Sequence, residues 1–309
     1  MELRVLEYYL MVAREENITK AAELLHITQP TLSRQLAQME QELGVSLFKR
    51  GKHNIALTEE GMILKRRAQE MMELANKTKQ ELCHEGENLR GVISIGSGET
   101  KSMHLLANCM TEFYQQHPEV TFDIYSSTAD RIKERIEKGL TDIGLLTEPV
   151  DVGKYQFIRL PEKARWGVLV CNGSPLSQKE SVSSKDLLKV PVLLPKRDSV
   201  QNELANWFQE DYEKLQVVAT YNLLYNAAVM VESVGGAALC MEHDKVYQNL
   251  VFVPFDPILS TGAVLVWKKS QFLSPLMRHF IEHLRTIFYK ERSNEDYDDG
   301  RGQLSVSDS

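Results

Sequence analysis

The chain has 309 residues, of which 43% are hydrophobic and 26% are charged, and its formal net charge is −7. The length predicts two domains with connecting segments, and the composition excludes a disordered chain or a membrane protein. No window approaches about 18 uninterrupted apolar residues, and the N-terminus has no apolar signal core. We therefore expect a cytoplasmic protein with no membrane partner.

The four cysteines, Cys83, Cys109, Cys171 and Cys240, are widely spaced and form no pair at metal-ligand spacing. They predict reduced, structural thiols, with no metal site and no cofactor. The acidic total is unusual for a nucleic-acid-binding protein, because phosphate contacts need Lys and Arg. The acid excess is plain in residues 291–309, however, and that segment is predicted to be a disordered acidic tail.

The first 58 residues begin with three predicted helices. The first runs from about Leu3 to Arg14, and the second begins near Thr19. The third begins at about Gln29, because Thr28 can cap it and Pro30 in the first turn loses no helical hydrogen bond. This pattern is typical of a helix-turn-helix.

The third predicted helix has one apolar face and one polar face. The polar face is rich in groups that can hydrogen-bond base edges, and its N-terminal half contains no acid. A solvated surface is the alternative for an isolated helix, but the tight turn before it favours readout of double-stranded DNA in the major groove. The polar face consists of Gln29, Thr31, Ser33, Arg34, Gln35 and Gln38.

A short hairpin, or wing, is predicted after the third helix, because residues 47–50 and 54–57 flank Gly51-Lys52-His53. Lys49, Arg50 and Lys52 are positive, and no acid lies between Gly44 and Thr58. We expect these cations to contact phosphates or reach a minor groove, which positions the head without reading sequence.

A long helix is predicted from Glu59 to about Glu87, capped by Thr58. Its apolar residues keep the alternating spacing of a seam between two helices. Packing against the chain's own C-terminal domain is the alternative, but the regular seam favours a homodimer that pairs two DNA-binding heads. The seam residues are Leu64, Ala68, Met71, Ala75, Thr78 and Leu82.

From Gly91 onward, strand-like and helical runs alternate in two similar sets. This alternation predicts an α/β architecture with two lobes. Lobe I is predicted at about residues 91–161 plus 269–290, and lobe II at about 162–268. Strand ends and helix N-termini converge on the cleft between such lobes, which suits a small anion.

The glycine-containing turn 96–102 invites two enzymatic interpretations, and both fail. A Walker loop needs Gly directly before its Lys, where this chain has Thr100, and a dinucleotide fingerprint needs a third glycine at Lys101. A hydroxyl-rich turn remains, with N–H groups suited to a carboxylate. An α/β enzyme with a DNA-binding head and an architectural DNA-binding protein are the rival functions, and no catalytic arrangement supports the first.

Three segments, residues 19–36, 43–50 and 57–61, together resemble the LysR-type transcriptional regulators in order and spacing. The resemblance implies a sequence-specific, effector-controlled regulator. Its layout is a winged helix-turn-helix domain (1–58), a linker and dimerisation helix (59–90), a two-lobed effector domain like the type 2 periplasmic binding proteins (91–290), and the tail (291–309).

The residues and the resemblance together predict site residues and partners. The DNA-binding set is Thr28, Gln29, Pro30, Thr31, Ser33, Arg34, Lys49, Arg50, Lys52 and His53, of which His53 stands where the family often has arginine. The effector-binding set is Ser97, Thr100, Lys101, Thr147, Ser199 and Asn222, each with helix capping as its alternative. Trp166 either lines the cleft or belongs to the core. The partners are double-stranded DNA, a small anionic metabolite, a second copy of the chain or three further copies, and RNA polymerase.

Overall fold

The computed structural model describes residues 1–50, 55–82, 89–243, 247–269 and 273–299. Two compact units divide the chain, Met1–Glu85 and Gly86–Ser309. The predicted site residues Lys52 and His53 lie outside the described residues, as does Cys83. Among the described residues, no helix is long and apolar enough to cross a membrane.

The N-terminal unit contains four helices and a two-stranded hairpin within its described residues. Strands β1 and β2 pair antiparallel, as the predicted wing requires. The elements are α1 (Leu3–Glu15), α2 (Ile18–Leu24), α3 (Gln29–Leu43), β1 (Phe48–Arg50), β2 (Ile55–Leu57) and α4 (Glu59–Leu82).

Local capping explains where these helices begin and end. The Asn17 side chain accepts the N–H of Lys20 at 3.0 Å and starts α2. Thr28 caps α3 as predicted, and Gly44 ends it in the left-handed conformation, with φ of 70°. Thr58 accepts the N–H of Gly61 at 2.9 Å and caps α4 as predicted.

Tyr9 fastens α1 to α4 at the centre of the head. Its ring is fully buried, and its hydroxyl donates to the Gly61 carbonyl at 2.5 Å. Burial raises the pKa of Tyr9 to about 12. The hydroxyl therefore stays neutral and keeps donating over the whole physiological range.

The prediction that one continuous seam of α4 faces a partner is wrong for its first two positions. Leu64 and Ala68 pack into the core of their own head, and Ala68 has no exposed surface. They lie against the head because α1 crosses this part of α4. Among the side chains that the structure describes, the large apolar residues exposed on α4 are Met62, Ile63, Met71 and Leu74.

The C-terminal unit alternates strands and helices as predicted. Two short 3-10 helices, at Pro175–Gln178 and Gln209–Lys214, supplement them. The elements are β3 (Gly91–Ser97), α5 (Met103–Gln116), β4 (Val120–Ser126), α6 (Ala129–Glu137), β5 (Ile143–Thr147), β6 (Tyr155–Cys171), α7 (Ser184–Leu187), β7 (Pro191–Pro195), α8 (Asp198–Phe208), β8 (Gln216–Tyr221), α9 (Leu224–Val234), β9 (Ala237–Met241), β10 (Leu250–Pro254), β11 (Ser260–Lys268) and α10 (Pro275–Asp299).

The strands of this unit form one path in the order β4-β3-β5-β11-β6-β9-β7-β8, and β10 also pairs with β6. In lobe I, β3 runs parallel to β4 and β5, and in lobe II, β7 runs parallel to β8 and β9. The long strand β6 pairs with β11 up to Arg165 and with β9 from Trp166 onward. One strand therefore belongs to both lobes.

Each lobe has its own apolar core, and these cores correct the predicted boundary between the lobes. Trp267 of β11 is buried with Phe113 and Phe280 in the core of lobe I. Strand β11 also pairs with β5 of lobe I. The prediction that lobe II extends to residue 268 is therefore wrong, because β11 has already returned the chain to lobe I. Trp166 is 3% exposed and belongs to the core of lobe II.

Helix α10 extends beyond the predicted start of the acidic tail and ends at Asp299. The disorder of the tail stays a prediction. No Gly or Pro occurs between Pro275 and Gly300, and nothing in the sequence forces the helix to stop earlier. Residues 300–309 lie outside the described residues.

The described cysteines are free thiols, as predicted. Cys109 and Cys240 are buried. Burial raises the pKa of the Cys240 thiol to about 12, so its thiolate is scarce near neutrality. Cys171 donates to the carbonyl of Val231 at 3.4 Å. These contacts are those of structural thiols.

Candidate DNA interface and effector cleft

The predicted DNA-reading residues share the outer face of α3 and the turn before it. Leu32, Leu36 and Met39 are buried on the opposite face. On the outer face, the Gln29 amide donates to Ser33 Oγ at 2.9 Å. The exposed members of the predicted set here are Thr28, Gln29, Pro30, Thr31 and Arg34, and Ser33 is half-buried. The structure therefore presents this set on one polar surface.

The wing is held to α3 by an acid that the sequence analysis did not single out. One oxygen of Glu40, Oε1, accepts the backbone N–H groups of both Leu47 and Phe48, at 2.6 and 3.2 Å. Lys49 is exposed on β1. Glu40 therefore fixes the strand that carries the basic residues of the wing.

In α/β sheets, ligands bind beside the carboxyl ends of the parallel strands, and several predicted effector-binding residues lie at or just after such ends. On lobe I, Ser97 ends β3 and Thr147 ends β5. Ser97 is buried, and its hydroxyl donates to the carbonyl of Gly98 at 2.8 Å. Strands β7 and β8 of lobe II end at Pro195 and Tyr221.

The turn after β3 differs from the prediction in one respect. Helix α5 begins at Met103, whereas the sequence predicted a start at about Thr100. Thr100 Oγ1 instead accepts the N–H of Ser102 at 3.3 Å and orders the turn. Thr100 and Lys101 therefore lie in the turn itself, before the helix begins.

Lobe II contributes the buried hydroxyl of Ser199, which was predicted. It also contributes an arginine, Arg197, which was not. Ser199 Oγ is buried and has no hydrogen-bond partner among the described residues. Arg197 donates to the carbonyls of Thr147 and Pro149, at 3.2 and 2.9 Å. Burial lowers the pKa of its guanidinium, and Asp130 opposes that shift. The position of Arg197 just after a strand was the signal that could have revealed it. Asn222, also predicted, is exposed beside α9.

An acid, Glu203, lies one turn beyond Ser199 on α8. Burial raises its pKa, a hydrogen bond with Thr261 lowers it, and the charge of Glu148 raises it again. Glu203 Oε2 is buried and has no partner within the described ranges. The indole of Trp166 donates to Thr261 at 2.6 Å.

A further hydrogen bond joins the two lobes, in addition to those of Arg197. The backbone N–H of Leu224, at the start of α9 in lobe II, donates to Glu99 Oε2 of lobe I at 2.5 Å. Glu99 follows β3 and lies within the predicted effector-binding turn.

Comparison with known proteins decides the family. Residues 3–62 match the model of the bacterial regulatory helix-turn-helix proteins of the lysR family, and residues 86–288 match the LysR substrate binding domain. The HTH-type transcriptional regulator AlsR of Bacillus subtilis is 31% identical over 294 residues, which cover 91% of this chain and 94% of AlsR. The chain belongs to the LysR family.

Further relatives of this LysR-type regulator cover it almost completely. The Hca operon transcriptional activator HcaR of Escherichia coli is 28% identical, covering 91% of this chain and 96% of HcaR. The solved structure of CbnR, a LysR family transcriptional regulator, has a TM-score of 0.75 at 19% identity, covering 93% of this chain and 99% of CbnR. The structure of full-length CbnR bound to its target DNA has a TM-score of 0.74 at 20% identity, with the same coverage of both chains. This likeness establishes the fold, and the family establishes a DNA-binding transcriptional regulator with an effector-binding domain.

Proposed function

We propose that this LysR-type regulator reads its DNA sites with the outer face of α3 and contacts the flanking phosphates with the wing. The supporting observation is that Gln29, Thr31 and Arg34 are exposed together on a face whose N-terminal half carries no acid. Side chains of this kind hydrogen-bond base edges in the major groove. The proposed interface also includes Thr28, Pro30, Ser33, Lys49, Arg50, Lys52 and His53.

Genome-wide mapping of bound sites, followed by footprinting on the recovered fragments, tests this proposal. The wild type should protect two half-sites about one helical turn apart or a multiple of that distance. A regulator with Arg34→Ala should lose this protection at concentrations where Arg131→Ala retains it. Arg131 is an equally long cation exposed on α6, outside the head. Equal footprints for the two variants would refute the role of α3.

The proposed effector is a small anionic metabolite held between the lobes by Ser97, Thr100, Lys101, Thr147, Ser199 and Asn222. The hydroxyls and N–H groups at the strand ends support an anion, because they can replace its water. A thermal-shift screen of carboxylic acids chosen from the pathways of the bound genes tests it. A hit that is lost in Thr100→Val but kept in Thr111→Val, on the outer face of α5, would support direct contact. A hit kept by both variants would refute contact between the ligand and Thr100 in the turn after β3.

The remaining proposals concern assembly and location. The exposed Met71 and Leu74 on α4 support a homodimer through this helix. We further propose that dimers pair into tetramers, that the DNA-bound form contacts RNA polymerase, and that the protein acts in the cytoplasm without catalysing a reaction. Transcription regulation requires access to the bacterial chromosome, and the family is one of regulators.

A further inference from the structure

Helix α9 has no cap of its own. The residue before it, Leu223, provides no side-chain hydrogen bond to the first turn. The first N–H groups of a helix lack partners inside the helix and need an acceptor from elsewhere. Glu99, 125 residues earlier in the chain and in the other lobe, supplies that acceptor to Leu224. A carboxylate at this position also interacts favourably with the positive end of the helix dipole.

The surroundings of Glu99 place its charge among groups of lobe II. Leu224 is 5% exposed and Glu99 is exposed, so the hydrogen bond is partly buried. Burial raises the pKa of Tyr221 and Tyr247, both in lobe II, and the negative charge of Glu99 raises each of them further. The Glu99 side chain therefore extends from lobe I into the opposite lobe.

A second bridge runs in the opposite direction. The guanidinium of Arg197 in lobe II donates to the carbonyls of Thr147 and Pro149 in lobe I, and it lies 4.0 Å from the carboxylate of Asp130 on α6. Each lobe thus provides one charged side chain to backbone groups of the other. Hydrogen bonds with one charged partner are stronger than those between neutral groups.

We propose that Glu99 and Arg197 form an interlobe latch, which holds the two lobes together. The latch favours the arrangement in which both sets of contacts are made over one in which they are broken. An effector can shift the lobes only by the difference in its affinity for the latched and unlatched arrangements. This last consequence rests on the proposed effector site, whereas the latch itself does not.

Hydrogen exchange followed by mass spectrometry on the full-length protein, without DNA or effector, tests the latch. In Glu99→Ala, the first-turn amides of α9, residues 224–227, should exchange about tenfold faster, because they lose a hydrogen bond to a charged acceptor. Glu112→Ala, which removes an exposed acid from α5, should exchange like the wild type. Arg197→Gln should accelerate exchange in the same segment.

Acetate provides a second measurement that isolates the carboxylate. It has the size of the group that Glu99→Ala removes, so saturating acetate should restore the protection of residues 224–227 in that variant. Chloride at the same ionic strength should not restore it. Loss of protection that acetate does not reverse would assign the effect to packing and overturn the proposal.

Two further outcomes would also overturn the latch. One is wild-type exchange at residues 224–227 in Glu99→Ala. The other is faster exchange spread over the buried strand β3 in both Glu99→Ala and Glu99→Gln, which would mean that Glu99 stabilises lobe I and does not bridge the lobes. Neither result would affect the footprinting or thermal-shift tests, so failure of the latch and failure of the proposed function remain distinguishable.

Discussion

Glu40 Oε1 accepts the backbone N–H of Leu47 at 2.6 Å and thereby joins the recognition helix α3 to the first strand of the wing. Leu47 is 1% exposed, so its N–H has no route to water if this acceptor is lost. A buried donor without a partner costs more than the hydrogen bond contributed when intact. The Glu40 carboxylate therefore helps to hold the polar surface of α3 and the basic wing in one arrangement.

Replacing Glu40 with Ala should destabilise the head by about 1–3 kcal/mol, because two backbone donors lose their acceptor. Urea unfolding of the full-length protein, followed by hydrogen exchange of the head peptides, measures the change. Glu42→Ala is the matched control, since Glu42 is exposed and its ion pair with the N-terminus lies at the surface. That control should change the stability by less than about 1 kcal/mol. Equal losses in both variants would contradict the role of Glu40.

Arg34→Ala should weaken specific DNA binding by about 1–3 kcal/mol, since it removes a long, exposed donor from the proposed groove-facing surface. Gel-shift titration at one fixed salt concentration measures the affinity. Arg131→Ala, in the effector domain, controls for the loss of one positive charge. Unchanged affinity and unchanged sequence preference in Arg34→Ala would show that this face of α3 does not enter the groove.

Met71→Lys should shift the protein from dimer to monomer, because two like charges would face each other across the paired α4 helices. Sedimentation velocity at several concentrations gives the distribution of species. Gln69→Lys adds the same charge to the same helix, about 200° around its axis, and should remain dimeric. A Met71→Lys protein that stays dimeric would place the dimer contact elsewhere.

Alkaline pH should destabilise the wild type partly through Tyr9. The unfolded tyrosine loses its proton near pH 10, whereas the folded one keeps it until about 12. The stabilisation is therefore complete below pH 10 and is lost as the pH rises through that window, where the unfolded state binds fewer protons.

Urea unfolding between pH 8 and about 12 measures this dependence on Tyr9. Tyr9→Phe should be less stable near neutrality by about 1–3 kcal/mol, because the Gly61 carbonyl loses its donor. Its stability should also fall less steeply above pH 10. Parallel curves for the two proteins would assign the alkaline loss to other groups.

Local sequence signals predicted the head well. The cap of α3 by Thr28 and the spacing of its buried apolar residues both lie within one element, so they can be predicted without knowing the fold. The alternation of strands and helices in the effector domain is equally local. Fold class and family followed from such patterns.

The contacts that the sequence did not predict join distant parts of the chain. Glu99 reaches Leu224 and Arg197 reaches Thr147 only after both lobes have formed. The seam of α4 failed at Leu64 because periodicity marks a buried face without saying which surface covers it. The predicted lobe boundary was wrong for a related reason, because the residues of β11 do not show which strand it pairs with.

Strand β6 runs without a break through both lobes, and β11 crosses back beside it with a slip in register between Gly262 and Val264. Extended strands resist stretching but tolerate twist, and an irregularity of this kind concentrates twist locally. We therefore expect any relative motion of the lobes to be a rotation about this pair of strands and not a separation of the lobes.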